Sequence, residues 1–164
     1  MILDKSTGNL IIDENHIIKA GMTIDEIKNS TIKELLSDIS KTELEDKRHP
    51  HLALKTIVVD GIDVDIDLNI LTNKIIKIEF DVDDAARKCH FNQDYEEFGQ
   101  LVEEHKTFMR KMLDVEYIAE NVDFKGGYAE LRSETRSPSV CVRINYMYIN
   151  ERSEEHTSEL QSPS

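Results

Sequence analysis

The segment LKTIVVDGIDVDIDLNILTNKIIKIEF, residues 54–80, gives the clearest indication of the fold class of this chain. Asp60-Gly61 is a dipeptide that tight hairpin turns prefer, and it separates a strand expected over residues 54–59 from an alternating stretch. In residues 62–70 every second side chain is apolar and the others are Asp or Asn, which is typical of a strand with one buried face. Thr72-Asn73 then turns the chain into a third strand, so the segment predicts an antiparallel meander.

The third strand of the meander should place Ile76, Ile78 and Phe80 on one face, because side chains alternate along a strand. Ahead of the meander, two short strands are expected over residues 9–13 and 16–19. Between these strands and the meander lies the first predicted helix.

This first helix is predicted to begin after Thr23. Thr23 with Glu26 three positions later has the capping-box pattern that opens many helices. Residues 40–50 are polar and charged, and we predict a loop there. The helix would bury a loosely periodic apolar stripe that consists of Ile24, Ile27, Leu35, Leu36 and Ile39.

A second, more regular helix is predicted to open at a capping-box pattern formed by Asp94 and Glu97. Its apolar residues recur at helical spacing and should cover the sheet: Tyr95, Phe98, Leu101, Val102, Phe108, Met109 and Met112. Two closing strands are expected over residues 124–131 and 140–148. Together these elements predict an α+β fold, with a mostly antiparallel sheet of about five to six strands packed against two helices.

The C-terminal tail has a different origin from the rest of the chain. Residues 152–162 read Arg-Ser-Glu-Glu-His-Thr-Ser-Glu-Leu-Gln-Ser, which the common read-through sequencing adapter encodes in its first frame. We therefore exclude residues 152–164 from fold reasoning as an adapter-derived, non-native tail that we expect to be disordered. A single domain over residues 1–151 remains. The tail contains one Arg and three Glu, so the net charge of −13 becomes −11 for residues 1–151.

Composition argues against several classes of function. No run approaches the roughly 18 apolar residues that cross a bilayer, and the N-terminus lacks a signal-peptide pattern, so we expect a cytoplasmic protein that binds no membrane. The acidic balance argues against nucleic-acid binding and favours a basic protein partner. Cys89 and Cys141 are too few for a disulfide framework. No cofactor is predicted, because no cofactor-binding motif occurs.

Acidic residues at alternate positions raise the question of a metal site. Asp63, Asp65 and Asp67 resemble the start of a calcium-binding loop. Such a loop needs Gly at its sixth position and Glu at its twelfth, where this chain has Leu68 and Lys74. On a strand the three aspartates share one face, so a solvated sheet face is the preferred interpretation.

A metal-dependent hydrolase stays open as an alternative. Its site would use the carboxylates of Asp81, Asp83 and Asp84 with the imidazole of His90. The chain also has two pairs of soft metal ligands that lack the usual zinc spacing, namely His49 with His51 and Cys89 with His90.

Two further features receive structural interpretations. His105 lies between Leu101 and Phe108 in the apolar stripe of the second helix, where a single His is more often a half-buried packing residue than a base. Gly126-Gly127 lacks the strand–loop–helix context of a phosphate-binding loop, so a bulge or close packing is expected there.

The order of elements, namely a strand, a helix, the Asp60-Gly61 hairpin, the helix that opens at Asp94 and a closing hairpin, resembles small uncharacterised bacterial α+β proteins of Firmicutes-like genomes. The residues that carry the resemblance are His105-Lys106 and Phe108 in the second helix and the closing segments 125–128, 137–140 and 144–146. Proteins of this kind often lie in polymorphic-toxin neighbourhoods, where they are suspected immunity proteins. The resemblance therefore implies a protein partner, such as a basic toxin domain.

The leading hypothesis is a non-enzymatic protein-binding domain, such as a toxin-neutralising immunity protein. An acidic inhibitor gains association rate and specificity from charge complementarity with a basic partner. The predicted contact is the solvated face of the meander, which carries Asp63, Asp65, Asp67, Glu79 and Asp81. A structural or adaptor subunit that forms homo-oligomers is a further alternative.

Overall fold

A computed structural model describes residues 1–45, 51–83, 95–118, 120–136 and 139–147. The N-terminal part contains strands β1 (Ile2–Leu3), β2 (Leu10–Asp13) and β3 (His16–Ile18), followed by helices α1 (Ile24–Lys28), α2 (Ile32–Leu35) and α3 (Asp38–Glu43). The central part contains strands β4 (His51–Ala53), β5 (Ile57–Val59), β6 (Ile62–Leu71) and β7 (Lys74–Asp83). Helix α4 (Tyr95–Leu113) and strands β8 (Asn121–Phe124), β9 (Gly127–Glu134) and β10 (Ser139–Tyr146) follow.

Within the described residues, seven strands form one antiparallel sheet in the order β4-β6-β7-β10-β9-β8, with β5 also paired to β6. Strands β1, β2 and β3 form a separate antiparallel sheet. This arrangement confirms the α+β class and the mostly antiparallel pairing. The main sheet has slightly more strands than predicted, because the regions around residues 54–59 and 124–131 each contain two short strands in place of one long one.

The central meander of β5, β6 and β7 is confirmed together with both of its turns. Asp60 (φ 51°) and Gly61 (φ 79°) connect β5 to β6, while Thr72 (φ 52°) and Asn73 (φ 65°) connect β6 to β7. Positive φ at both central residues is what a two-residue type I′ hairpin turn requires. Its twist matches that of the flanking strands, so these turns fix the register of the meander.

A β-bulge in β7 corrects the predicted position of Ile76. Lys77 and Ile75 pair with consecutive residues of β6, so Ile76 is the extra residue of the bulge. As a result Ile75 is fully buried and Ile76 only partly so. Ile78 and Phe80 lie in the core, as the alternation predicts.

The region of the first predicted helix contains three short helices in place of one. The Thr23 hydroxyl caps α1 and accepts a hydrogen bond from the backbone N–H of Glu26 at 3.2 Å, as the capping-box pattern predicts. Ser37 caps α3 through the N–H of Ser40 at 3.2 Å, so a new helix begins where the apolar stripe was expected to continue.

Helix α3 corrects two expectations. It extends to Glu43, into the predicted loop of residues 40–50, of which residues 46–50 lie outside the described part. Ile39 is 73% exposed, although the stripe predicted it in the core, whereas Ile27 and Leu36 are buried. The new cap at Ser37 restarts the helical phase and turns Ile39 to solvent.

Helix α4 confirms the second predicted helix, although Asp94 of its predicted cap lies outside the described residues. Phe108, Met109 and Met112 on its inner side are buried, and it contacts β7, β9 and β10. The rings of Phe108 and Phe80 lie 5.5 Å apart between centroids. The helix therefore covers one face of the main sheet.

The closing strands differ from prediction at two points: the predicted strand 124–131 is divided, and the strand predicted over residues 140–148 ends at Tyr146, with residue 148 outside the described part. A turn at Lys125-Gly126, with Gly126 at φ 90°, divides the predicted strand 124–131 into β8 and β9. Gly127, which follows this turn, packs so closely against the backbone of Asn145 that a side chain has no room, as the expected close packing requires. In β10 the predicted alternation is confirmed, with Val140, Val142, Ile144 and Tyr146 buried.

Candidate protein-binding surface

The outer face of the main sheet, opposite α4, collects the acidic residues that the alternation predicts to share a face. In the register of β6 with β7, Asp65 lies opposite Asp81 and Asp67 lies opposite Glu79. Directly opposite residues of an antiparallel pair have Cβ atoms about 5 Å apart. We call Asp63, Asp65, Asp67, Glu79 and Asp81 the acidic face; all five are partly or fully exposed.

Cross-strand pairs of like charge make this face electrostatically unfavourable for the folded chain. Burial, as the largest cause, raises the pKa of Asp67 above its ordinary value, and the charges of Glu79, Asp65 and Asp81 raise it further. The imidazole of His51, 3.6 Å from the Asp67 carboxylate, opposes this shift. In the folded protein, a cation placed near Asp67 therefore stabilises the charged form of this carboxylate.

Some groups next to the acidic face partly compensate its charge. The Thr56 hydroxyl donates to the Asp65 carboxylate at 2.6 Å. The ammonium of Lys77 lies 2.8 Å from the Glu79 carboxylate, and Nε of Arg143 lies 3.5 Å from it. These three residues were missed by sequence reasoning. Period-2 alternation shows which residues share a face within one strand, but not which residues of other strands lie beside them.

The outer face becomes mixed in charge beyond β7. Arg143 of β10 lies opposite Glu79 of β7 and opposite Glu130 of β9. Cys141 of β10 is half-buried, and burial is the largest cause that raises the pKa of its thiol. A raised pKa keeps the thiol protonated, so Cys141 lacks the character of a nucleophile. Cys89 lies outside the described residues.

His105 is fully buried, beyond the half-buried state predicted for it. Its Nε2 accepts a hydrogen bond from the backbone N–H of Val82 at 3.0 Å, and its Nδ1 lies 2.8 Å from the carbonyl oxygen of Leu101. Both ring nitrogens thus have backbone partners. This supports the packing interpretation and leaves no nitrogen of this ring for proton transfer to a substrate.

Only some of the residues of the hydrolase alternative belong to the described part of the structure. Asp84 and His90 lie outside them, as do His49 and Cys89 of the soft-ligand pairs. Within the described part of the chain, no group of three or more His, Cys, Asp or Glu residues is arranged to hold a metal ion. Asp81 belongs to the acidic face by its register, and its side chain is 59% exposed, but one of its carboxylate oxygens lies 3.5 Å from Nε2 of the buried His105.

Over the same described ranges, none of the helices has both the length and the apolar character needed to cross a membrane.

Comparisons with known proteins give one structural likeness. No protein-family model matches the chain, and no curated protein sequence matches it either. The structure is similar to a chain of a solved complex described as "Rhs1-CT in complex with cognate immunity protein RhsI1", with a TM-score of 0.54. The likeness covers 99% of each chain at 14% sequence identity. At this identity it shows a common fold and nothing more about this chain.

Proposed function

We propose that this chain is a protein-binding domain that neutralises a partner protein, as an immunity protein does, and that its acidic face contacts basic residues of that partner. The observation that carries the proposal is the cross-strand register, which sets Asp65 opposite Asp81 and Asp67 opposite Glu79 on a face that α4 leaves open. The shared fold with a chain of a complex that contains an immunity protein is consistent with it.

The physical argument is one of charge complementarity. Like charges directly opposite each other on a sheet destabilise the free protein. A partner that brings Arg or Lys side chains to this face offsets the repulsion and forms ion pairs with the carboxylates. Both effects make the free energy of binding more favourable. Long-range attraction between an acidic inhibitor and a basic partner also raises the rate of association.

A growth-rescue assay tests the function. The full chain is co-expressed with the protein encoded by the adjacent open reading frame, and growth is compared with expression of either protein alone. Growth arrest by the neighbour and recovery in the presence of this chain support the proposal. A neighbour that is harmless, or that arrests growth regardless, contradicts it.

The position of the contact is tested with charge reversals and calorimetry. The double variant Asp67→Lys with Asp81→Lys should weaken binding to the neighbour by about 30-fold or more. The matched control Glu14→Lys with Glu120→Lys changes the net charge equally at two exposed positions outside the acidic face, and should change affinity by less than about threefold. Equal losses in both variants mean that net charge alone acts and that the acidic face is not the contact.

A further inference from the structure

His16, the first residue of strand β3, lies between two carboxylates that belong to different elements. Its Nδ1 is 2.8 Å from one carboxylate oxygen of Asp13 and 2.9 Å from the other, across the turn that joins β2 to β3. Its Nε2, on the other side of the ring, lies 3.5 Å from a carboxylate oxygen of Glu34 on helix α2. The imidazole therefore spans the gap between the small sheet and α2.

The two contacts together require a charged ring. An ionised carboxylate accepts hydrogen bonds and donates none, so a ring nitrogen is attracted to it only when that nitrogen carries a proton. A neutral imidazole has one N–H, whereas an imidazolium has two. The charged form of His16 can therefore bind Asp13 and Glu34 at once, while the neutral form leaves one nitrogen with its lone pair towards a carboxylate.

Nε2 is the nitrogen whose contact depends on the charge. The side chain of His16 is 16% exposed, and its Nε2 atom is buried with no hydrogen-bond partner among the described residues. Nδ1 has the shorter contact, with Asp13, whose carboxylate also accepts a hydrogen bond from the backbone N–H of Asn15 at 2.8 Å. When the ring loses one proton, the N–H that remains should therefore be the one on Nδ1.

The charges around the ring favour its protonated form. The hydrogen bond with Asp13 is the largest cause that raises the pKa of His16, and Glu34 adds to it, while burial acts in the opposite direction. Among the described residues, Asp13 on β2 and Glu34 on α2 lie within ion-pair distance of the ring, whereas Glu14 in the turn and Lys33 on α2 form no ion pair with it. The stabilisation is therefore complete below the ordinary pKa of 6.5 and is lost as the pH rises through the folded pKa.

A second contact between the hairpin and α2 has no group that titrates near neutral pH. The hydroxyl of Thr31, the residue before α2, donates to the carbonyl oxygen of Asn15 in the β2–β3 turn at 2.6 Å. A hydroxyl and a backbone carbonyl keep their protonation states over the range in which histidine titrates. The turn should therefore stay beside α2 when His16 becomes neutral, and the contact with Glu34 is the one that changes.

We propose that His16 is a proton-dependent link between the β2–β3 hairpin and helix α2. In the charged state the ring holds Glu34 through Nε2. When Nε2 gives its proton to solvent, Glu34 is released and the bond from Thr31 to Asn15 remains. The link is a property of the free chain, so it holds or fails independently of the proposed function.

NMR of the ring nitrogens in the full chain tests the chemistry of the link. The pKa of His16 should lie above 6.5, and the neutral ring should carry its proton on Nδ1. Glu34→Gln keeps the size of the side chain but removes its charge, so the pKa of His16 should fall. Glu14→Gln removes the same charge from the adjacent turn without breaking an ion pair to the ring, and should lower this pKa by less. Equal shifts in the two variants, or a neutral ring with its proton on Nε2, overturn the proposal.

The release of α2 is measured from the backbone amide signals of Glu34 and Leu35 between about pH 5 and pH 9. In the wild-type chain these signals should titrate with the same midpoint as the ring of His16. His16→Gln should abolish this titration, whereas His51→Gln, which removes an exposed histidine beside Asp67, should preserve it. If His16→Gln does not fold, Glu34→Gln should show the same loss of amplitude at Leu35. Amide signals of α2 that do not follow the midpoint of His16 in the folded wild-type chain contradict the link.

Discussion

On the side of β7 that faces β10, the imidazole of His105 on helix α4 takes the place of a strand neighbour for Val82, whose partner on the other side is Val64 of β6. The registered pairing of β7 with β10 extends to Phe80 opposite Val142, and two residues further along β7 the N–H of Val82 donates to Nε2 of His105 at 3.0 Å. Since Nε2 accepts this bond, the ring proton is on Nδ1, which donates to the carbonyl oxygen of Leu101 at 2.8 Å. Asp81 lies 3.5 Å from Nε2, but an unprotonated nitrogen forms no ion pair with it.

His105→Ala should lower the free energy of unfolding by about 2–4 kcal/mol. The substitution leaves the buried N–H of Val82 without its acceptor and opens a cavity beneath α4, and both effects destabilise the fold. Urea unfolding measures the change. His51→Ala removes an exposed histidine from an edge strand and is the control, with an expected effect below about 0.5 kcal/mol. A similar small effect for His105→Ala would show that the hydrogen bond to Val82 contributes little.

Gly127→Ala should destabilise the protein by more than about 2 kcal/mol. A Cβ at this position would overlap the carbonyl oxygen of Asn145, and it would lie 2.8 Å from the ring of Phe124. The first obstacle is backbone of the paired strand β10, so a change of rotamer cannot relieve it.

Gly99→Ala is the matched glycine control, and its expected effect has the opposite sign. Apart from its chain neighbours and the backbone of its own helix, no atom of the described residues lies within 4 Å of a Cβ at Gly99, which is inside helix α4. Because Ala favours helix over Gly, this variant should gain about 0.5–1 kcal/mol. Thermal unfolding of the two variants side by side measures the contrast, and two losses of equal size would contradict the interpretation.

Tyr146→Phe should cost about 1 kcal/mol, because it removes one buried hydrogen bond. The hydroxyl of Tyr146 donates to the carbonyl oxygen of Gly8 at 2.8 Å and thereby ties the last strand of the main sheet to the loop between β1 and β2. Hydrogen exchange should show faster opening of the small sheet in this variant. Tyr128→Phe, at a half-buried position of β9, is the control; an equal response there would mean that the bond to Gly8 has no special role.

The elements that could be predicted from sequence are those in which apolar residues recur regularly over many consecutive positions. Alternation over residues 62–70 and the apolar spacing within α4 each repeat several times, so one exception does not obscure the period. The position of Ile76 could not be predicted, because the bulge arises from pairing with β6. The separate start of α3 follows from Ser37, a capping residue whose effect competes with the apolar stripe.

The candidate site, too, could be predicted from sequence only in part. The alternation alone places Asp63, Asp65 and Asp67 on one face, since the side-chain period of a strand is two. That Asp65 faces Asp81 requires the register, which the turn at Thr72-Asn73 and the bulge together determine.

Asp67→Asn should raise the free energy of unfolding by about 0.5 kcal/mol near neutral pH. The pKa of Asp67 is raised above its ordinary 3.8, chiefly by burial and then by the charges of Glu79, Asp65 and Asp81. The folded chain therefore binds this proton more tightly than the unfolded chain does. The charged carboxylate costs stability at neutral pH, and the cost disappears as the pH falls through the folded pKa.

The pH dependence distinguishes this cause from a general effect of Asn. The gain in the free energy of unfolding of Asp67→Asn over the wild-type chain should be largest near pH 7 and should shrink towards about pH 4, as measured by urea unfolding.

Asp13→Asn is the control, and its expected effect on the free energy of unfolding has the opposite sign. Hydrogen bonds from Asn15 and His16 lower the pKa of Asp13, so its charged form stabilises the fold above its ordinary pKa and this contribution is lost as the pH falls through the folded pKa. Asp13→Asn should therefore be less stable than wild type at pH 7. An Asp67→Asn variant that is also less stable there would show that the contact with His51 outweighs the repulsion across the strands.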